Sequence, residues 1–454
     1  MNLEDIKGNK TKKILQFSVP AIVSMVLTAL ITVADGFFMG NYVGKEGIAA
    51  VNLGLPIVYL YLGAGLMVSI GGVSIAGMAL GSGDREQSSQ VFRQTVATAA
   101  VVSLAISCAA ACSFGPMLAV LGADGTAAEY FREYYRIMLL ELPVMVVNSS
   151  LGMFIRGDGN PEFYLKVTVL NVALNILLDY GLAGRLGMGA AGIAAASLIS
   201  ALVSLACSLY YFGKKAEIYR LGGFRFSWEV CVRGILNGSS EFIGEMSTGI
   251  AMFAYNFVIM RRFGADGVAA FTIVGYVSYM FTMVIVGFGQ GSSPLISFCY
   301  GAGEKETAAD IRRKANGYVL LAGTAVFLAM AVISRWYTGI FVRNEQVKAV
   351  AESGMLIFMV SFFFSGINSI TSFYFTAIGK AFESAVISGS RGLVLLLISI
   401  FTLPALFGMT GVWLAAPVTE LATLGVTAVF LSRDKGNMPQ RSPKPQPRNG
   451  TGGI

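Results

Sequence analysis

Residues 14–40 read ILQFSVPAIVSMVLTALITVADGFFMG, a long apolar run that contains one proline, Pro20, and one carboxylate, Asp35. A helix rises about 1.5 Å per residue, so about 20 apolar residues cross the hydrocarbon core of a bilayer and this run can span it. Asp35 then lies inside the membrane, where a carboxylate costs about 2.5–3.5 kcal/mol. The sequence therefore predicts a functional role for Asp35 and a partner for it elsewhere in the chain.

The composition of the whole chain agrees with a membrane protein. Of its 454 residues, 55% are hydrophobic and only 13% are charged, whereas soluble domains carry about 25% charged residues. The chain has no histidine, which excludes Ser-His-Asp triads and HExxH zinc sites. The five cysteines form no CxxC pair, so they are expected to be small apolar helix residues rather than a disulfide or zinc framework. No GxxxxGK[ST] motif for ATP binding occurs.

The hydropathy pattern predicts twelve membrane-spanning helices. Most of the 33 Lys and Arg residues fall in segments that would share one side, which favours cytoplasmic N and C termini and explains the net charge of +7 without a nucleic-acid partner. The predicted spans are 14–40, 50–80, 95–119, 134–155, 162–184, 190–212, 234–263, 266–299, 315–338, 350–378, 384–407 and 409–431.

A repeat divides the chain into two halves. When the sequence is shifted by about 220 residues, GKEGIAAVNL at 44–53 falls on GADGVAAFTI at 264–273, and the match continues without gaps for over about 110 residues. Six spans per repeat give two lobes of the same orientation, and such parallel repeats are typical of transporters that work between their lobes. The predicted fold is all-α, in two pseudo-symmetric six-helix lobes. The predicted domains are an N-terminal lobe (1–213), a cytoplasmic linker (214–233), a C-terminal lobe (234–431) and a disordered cytoplasmic tail (432–454).

The partner of Asp35 is predicted to lie on the fifth span. Asn171, Asn175 and Asp179 are four residues apart, so they share one helix face. The directions of the spans place Asp35, Asp179 and Ser197 in the outer part of the first lobe and Asn148 near its middle. Carboxylates, amides and a hydroxyl are hard oxygen ligands that suit a shared proton or a small cation such as Na⁺. Ser197 alone could equally join two helices by a hydrogen bond.

Other polar and aromatic residues of the spans are assigned roles from their positions in the predicted helices. Glu245 and Glu420 are candidate cavity acids of the second lobe, and Arg391 could neutralise one of them. Glu141, beside Pro143, is expected to reach toward the outer interface. Pro20 is expected to act as a hinge in the first span. Aromatic and methionine side chains suit an adaptable cavity for flat cations, and the candidate lining residues are Phe154, Met252, Tyr255 and Phe281.

Several stretches make the chain resemble the multidrug and toxic compound extrusion (MATE) family over nearly its whole length. They are VADGFFMGNYVGKEGIAAVNLGLPI, RGDGNPEFYLKVTVLNVALNILLDY, GMGAAGIAAASLIS and, most specifically, GFGQGSSPLISFCYGAGEKE. The acidic set looks like the branch with the DNA-damage-inducible bacterial members. The resemblance implies that Asp35, Asn175, Asp179 and Ser197 hold the coupling H⁺ or Na⁺, that Asn148 supports them, and that Glu245 is the second-lobe acid. Ser197 stands where that branch is expected to have Thr.

The leading hypothesis is a secondary antiporter of the bacterial cytoplasmic (inner) membrane. It would export cationic or amphipathic organic compounds by alternating access in exchange for H⁺ or Na⁺, as a monomer in the lipid bilayer and without a cofactor. One alternative is a lipid-linked oligosaccharide flippase, which would require a strongly basic cavity. Another is an intramembrane aspartyl enzyme. Two observations count against it: the two-lobe repeat, and the position of Asp35 and Asp179 on helices without enzyme motifs such as GxGD.

Overall fold

The structure, a computed structural model, describes residues 2–120 and 125–436, and none of these residues forms a strand. The N-terminal half contains α1 (Leu3–Gly8), α2 (Lys10–Tyr42), α3 (Lys45–Leu53), α4 (Leu55–Gly81), α5 (Arg85–Val120), α6 (Gly125–Gly157), α7 (Pro161–Leu178), a π-helical segment (Asp179–Arg185) and α8 (Gly189–Lys214). The C-terminal half contains α9 (Trp228–Gly301), α10 (Lys305–Phe341), α11 (Glu345–Met359), α12 (Phe362–Ala377), α13 (Ala381–Gly389), a second π-helical segment (Ser390–Val394) and α14 (Leu395–Gly436).

The described helices make twelve crossings. Nine helices are long and apolar enough to span a membrane, and α11 and α12, bent by 46°, together form a tenth span. Two of the nine are double: Gly264 (φ +70°) divides α9 into residues 228–263 and 265–301, and Gly408 (φ +59°) divides α14 into residues 395–407 and 409–436. Glycine is required at such breaks because other residues avoid positive φ. The count confirms the predicted twelve helices.

Two predicted segment limits are corrected by the helix ends. Helix α9 begins at Trp228, where the Ser227 hydroxyl accepts a hydrogen bond from Val230 N as an N-cap, so residues 228–233 of the predicted linker 214–233 are helical. Helix α14 continues to Gly436, so residues 432–436 are helical rather than part of a disordered tail. The remainder of that predicted tail, residues 437–454, lies outside the described residues.

The repeat is visible in the backbone. Gly44 and Gly264, which the sequence shift superimposes, both have positive φ (+96° and +70°), and so do Gly159 and Gly379 (+101° and +78°). Each half also has its own apolar core: one cluster in the N-terminal half centres on Tyr61, Phe131 and Ile193, and its counterpart in the C-terminal half includes Phe281 and Trp413. The chain therefore folds as two lobes.

Helix α2 contacts both lobes. A Cβ on Gly287 or Gly291 of α9 would lie 2.5 Å from the Ile22 Cα and 2.6 Å from the Ser18 Cα, respectively, so glycine at these positions permits the close packing of α2 on the C-terminal lobe. Further along α2, Phe38 and Met39 are buried in the core of the N-terminal lobe. One half of α2 thus packs on each lobe, with Asp35 in the half that belongs to the N-terminal lobe.

The lobes meet at the end of the molecule that carries α1 and the linker, which we call the inner end. There, Lys7 Nζ lies 2.6 Å from Glu304 Oε1, and Lys10 Nζ lies 2.6 Å from Asp310 Oδ2. The apolar side chains of Ile6, Ile14 and Phe17 pack on the C-terminal lobe beside these ion pairs. The beginning of the chain therefore joins the two lobes at the inner end.

Candidate ion-coupling site

Asp35 and Asp179 lie together inside the N-terminal lobe, and we call them the acidic pair. Asp179 is 0% exposed and begins the π-helical segment that follows α7. Asp35, on α2, is half-buried, but its Oδ1 atom is sealed from solvent. The two carboxyl groups are within hydrogen-bonding reach of each other. Two ionised carboxylates in contact repel each other, so this arrangement requires a shared proton or a cation between them.

The predicted amide and hydroxyl complete this site. Asn175, which is fully buried, donates from Nδ2 to the Ser197 hydroxyl (3.2 Å), and Ser197 donates to Asp35 Oδ2 (3.4 Å). Helices α2, α7 and α8 each contribute to the cluster, as their predicted faces and depths require. The structure therefore brings together Asp35, Asn175, Asp179 and Ser197, the four residues that the resemblance assigns to the ion.

The site is rich in acceptors and poor in donors. Within residues 2–120 and 125–436, no donor reaches Asp35 Oδ1, Asn175 Oδ1 or either carboxylate oxygen of Asp179. Buried oxygens without partners cost free energy, and a proton or Na⁺ supplies what they lack. The described part of the chain contains no group of three or more His, Cys, Asp or Glu side chains that could hold a metal ion. A cation here would therefore depend on the amide and the hydroxyl as well as the two carboxylates.

The π-helical segment explains how Asp179 is presented. In a π-helix each turn has an additional residue, and such segments often occur at functional sites. The segment Asp179–Arg185 follows α7 directly, and it contacts both α2 and α8. The predicted face includes Asp179, but helix α7 ends at Leu178, so the position of Asp179 also depends on this local change of helix type.

Asn148 does not hydrogen-bond to the acidic pair. It donates from Nδ2 to the Ser204 hydroxyl (2.8 Å) and accepts from the Ser208 hydroxyl at Oδ1 (2.7 Å). These contacts join α6 to α8 nearer the inner end than Ser197. The structure thus separates Asn148 from the other four predicted residues.

Two residues near the acidic pair are absent from the predicted site. The prediction that Glu141 reaches the outer interface is wrong, since the side chain is 6% exposed and interacts electrostatically with Asp35. Tyr134, also buried, interacts electrostatically with Asp35, Asp179 and Glu141. Tyr134, Glu141 and Asn148 are seven residues apart, and this heptad spacing was a signal that they share one face of α6.

The second-lobe acids have different environments. Glu420, which is 8% exposed, accepts from Arg391 Nη2 at Oε1 (2.6 Å) and from Asn368 Nδ2 at Oε2 (2.8 Å), so its charge is compensated. A Cβ built on Gly63 of α4 would lie 3.5 Å from the Glu245 Cβ, so Glu245 is close to α4. Glu245 also interacts electrostatically with Tyr59 and Tyr279. Glu245 therefore faces the contact between the lobes.

Most of the predicted cavity-lining residues are packed in lobe interiors. Phe154 is fully buried against Phe92 and Tyr219, Tyr255 stacks on Phe271 (4.5 Å between centroids), and Phe281 stacks on Phe362 (4.3 Å). The prediction that these three line an open cavity is wrong for this conformation, because the periodicity of large apolar residues does not distinguish a core from a cavity. Met252 is exposed.

Twelve crossing helices in two lobes define a membrane transport protein, and one lobe contains an acidic pair that forms no ion pair with a Lys or Arg of the described residues. The MatE family model matches residues 20–181 and 242–402, one stretch in each lobe. The chain therefore belongs to the MATE family of multidrug efflux transporters, as the sequence predicts. It is a multi-pass protein of the bacterial cytoplasmic (inner) membrane.

Named relatives and a solved structure agree with this assignment. The chain is 23% identical over 438 residues to "Multidrug export protein MepA" of Staphylococcus saprophyticus, covering 94% of this chain and 95% of that protein. It is 22% identical over 428 residues to the protein of the same name from Staphylococcus aureus, with 93% and 94% covered. A structure described as an outward-facing multidrug resistance MATE family transporter of the MOP superfamily superimposes with a TM-score of 0.88 at 23% identity, covering 94% of this chain and 97% of that chain. These relatives are transport proteins rather than enzymes.

Proposed function

We propose that this protein is a secondary antiporter that exports cationic or amphipathic organic compounds in exchange for an inward-moving H⁺ or Na⁺. The acidic pair carries the proposal, because a buried and a half-buried carboxylate within hydrogen-bonding reach of each other need a bound proton or cation. Their charge therefore changes when the coupling ion binds or leaves. An inward-moving ion gains about 2.3 kcal/mol per charge per 100 mV of membrane potential, before any concentration gradient is counted.

Helix α2 offers the physical link between ion binding and the lobes. Its outer half carries Asp35 in the N-terminal lobe, while its inner half, which includes Pro20, packs on the C-terminal lobe. A change of charge at Asp35 alters the stability of the outer half only. If the ion and the exported compound favour different conformations of α2, the binding of one lowers the affinity of the protein for the other. This negative coupling is the thermodynamic requirement for exchange.

The acids at the lobe interface suggest where an organic cation is attracted. Glu245 lies between the lobes with Tyr59 and Tyr279 in its electrostatic surroundings, and carboxylates and aromatic faces both favour cations. An oligosaccharide flippase would require a basic cavity instead. The flippase and the intramembrane enzyme are therefore not proposed.

Ethidium efflux from proteoliposomes tests the antiport. The wild type is compared with Asp35→Asn, with a pH gradient or a Na⁺ gradient imposed separately. We expect one of the two gradients to drive efflux by the wild type. The efflux rate of Asp35→Asn under that gradient should be at least tenfold lower, because an amide can neither accept the proton nor neutralise the charge of a bound Na⁺. Asp266→Asn is the matched control, since Asp266 is an exposed acid outside the site. Efflux by Asp35→Asn at the wild-type rate under the same gradient would contradict the assignment of the site.

A further inference from the structure

Glu141 is a buried acid that the proposed site does not use. It lies halfway along α6, is 6% exposed, and its Oε2 atom accepts no hydrogen bond from any residue that the structure describes. Among those residues, no Lys or Arg forms an ion pair with it. A buried ionised carboxylate without a partner is costly, so Glu141 is most stable when it carries a proton.

Helix geometry places Glu141 at the level of Ser197, the residue that donates a hydrogen bond to Asp35. Helices α6 and α8 run in the same direction, and Asn148 contacts Ser204 and Ser208. Glu141 lies seven residues before Asn148 on α6, about 10.5 Å closer to the outer end at 1.5 Å per residue. The same step along α8 leads from Ser204 and Ser208 to Ser197 and Ala201, so Glu141 is level with these two residues. Ser197 donates to Asp35, and Glu141 interacts electrostatically with Asp35. Glu141 thus adjoins the acidic pair without hydrogen-bonding to it.

A line of hydroxyl groups continues from this level toward the inner end. Ser200, Ser204 and Ser208 are buried on α8, and Asn148 holds the last two; we call these four residues the polar seam. The Asn148 side chain bridges Ser204 and Ser208. Ser200 and Ser204 are separated by about 6 Å along the helix, a gap that two hydrogen bonds through one water span.

Beyond the seam lies a cavity at the inner end. Tyr211, three residues after Ser208, donates from its hydroxyl to Asp158 Oδ2 (2.6 Å). Both residues line a cavity of about 260 Å³ that also borders Lys13, Lys215 and Glu217. A polar route therefore leads from Glu141 through the N-terminal lobe to a cavity at the inner end, which Ile6, Phe17 and Leu295 border on the side of the C-terminal lobe.

The groups that face Glu141 do not offer another charge partner. Asp35 on α2 and Asp179 on the π-helical segment are acids, and Tyr134 and Tyr135 are on α6 itself. Helix α4 contributes Tyr61, whose hydroxyl contacts Ser107 of α5. Helix α8 contributes the serine hydroxyls of the seam. Glu141 can therefore exchange protons with the acidic pair on one side and with hydroxyl groups on the other.

Resting on the proposed antiport, we propose that Glu141 carries protons between the acidic pair and the polar seam, through which the N-terminal lobe exchanges protons with the inner side. In each transfer, protonated Glu141 gives its proton to a seam hydroxyl or water, and its carboxylate takes the next from the acidic pair. Only O–H bonds form and break, and one proton moves inward for each proton taken up at the site.

Proton flux and ethidium binding, measured separately, test this proposal. Proteoliposomes containing pyranine report internal pH while a pH gradient drives ethidium efflux, and fluorescence polarisation gives the ethidium Kd. We expect Glu141→Gln to lower substrate-dependent proton flux at least tenfold and to leave the Kd within twofold, because the amide cannot carry a proton. Glu141→Asp should recover part of the flux. Glu133→Gln, on the exposed face of the same helix, should behave as the wild type.

The outcomes separate this proposal from the antiport itself. If wild-type efflux follows a pH gradient and Glu141→Gln keeps the full proton flux, the role of Glu141 is wrong and the antiport stands. If only a Na⁺ gradient drives wild-type efflux, the proton-carrying role of Glu141 is likewise wrong and the antiport stands. Absence of ion-driven efflux by the wild type overturns both. If Glu141→Gln does not fold, the Ser204→Ala/Ser208→Ala pair decides: it should lose flux that Ser204→Thr/Ser208→Thr, which keeps the hydroxyls, retains.

Discussion

At the scale of single residues, two buried acids, Asp179 in the N-terminal lobe and Glu420 in the C-terminal lobe, have opposite surroundings. Glu420 receives hydrogen bonds from Arg391 and Asn368, whereas Asp179 receives none from the described residues. A compensated charge is fixed in one ionisation state, and an uncompensated one gains or loses an ion readily. This asymmetry supports the proposed binding of the coupling ion in the N-terminal lobe, whereas Glu420 forms an ion pair with Arg391 in the C-terminal lobe.

This difference predicts the effect of removing Arg391. Arg391→Met leaves the Glu420 charge buried without its partner, which should destabilise the protein by roughly 3 kcal/mol, near the lower end for broken buried pairs because Arg391 is 29% exposed. The melting temperature of the purified protein in detergent measures the loss. Adding Glu420→Gln should restore most of it, because the double variant has no buried charge. Equal melting of Arg391→Met and the wild type would show that the pair contributes little.

Residue positions were predictable where two independent patterns agreed. Asp35, Asn175, Asp179 and Ser197 follow from helix faces combined with depth in the membrane. The burial of Glu141 inside the lobe does not follow from hydropathy, because hydropathy indicates the depth of a residue and not the neighbours of its side chain. Its spacing of seven residues from Tyr134 and Asn148 is the signal in the sequence that points to the shared face.

At the scale of elements, α2 divides its packing between the lobes along its length, one half on each. It runs unbroken from Lys10 to Tyr42 through Pro20, whose missing N–H removes one hydrogen bond of the helix and favours bending. The length and position of the helix were evident from its apolar run. Its division between lobes was not, because the glycines that permit it, Gly287 and Gly291, lie more than 240 residues away in the sequence.

The hinge role of Pro20 remains a prediction with a direct test. Pro20→Ala restores the backbone hydrogen bond and stiffens α2, so a change at Asp35 should no longer alter the inner half. We expect ion-driven ethidium efflux to fall at least fivefold while ethidium binding and the melting temperature stay close to those of the wild type. Pro116→Ala, in the interior of α5 and exposed, is the matched control. Undiminished efflux by Pro20→Ala would show that α2 transmits the change without a bend.

At the scale of the whole molecule, the start of the chain adds two ion pairs between the lobes at the inner end, where α4 also packs closely on α9. The pairs Lys7–Glu304 and Lys10–Asp310 are partly exposed, so each contributes only about 0–1 kcal/mol. Such weak contacts suit the opening of the inner end that the proposed antiport requires. Twelve helices and two lobes could be predicted from hydropathy and the repeat, but these ion pairs join regions about 300 residues apart and depend on how the lobes meet.

Cys299 provides a way to measure opening at the inner end. It is fully buried in the cluster that contains Ile6, Ile14 and Phe17, so its alkylation by N-ethylmaleimide requires the lobes to separate there. The other four cysteines, Cys108, Cys112, Cys207 and Cys231, are first replaced by serine. Lys10→Glu then places two acids together at the Asp310 contact, and we expect Cys299 to react several-fold faster because repulsion replaces attraction. The exchanged pair, Lys10→Glu with Asp310→Lys, restores opposite charges at the same positions and should return the rate toward that of the parent.

If Lys10→Glu reacts at the parent rate, the ion pair does not hold the inner end closed. If the exchanged pair reacts as fast as Lys10→Glu, the effect comes from the loss of Lys10 packing rather than from charge.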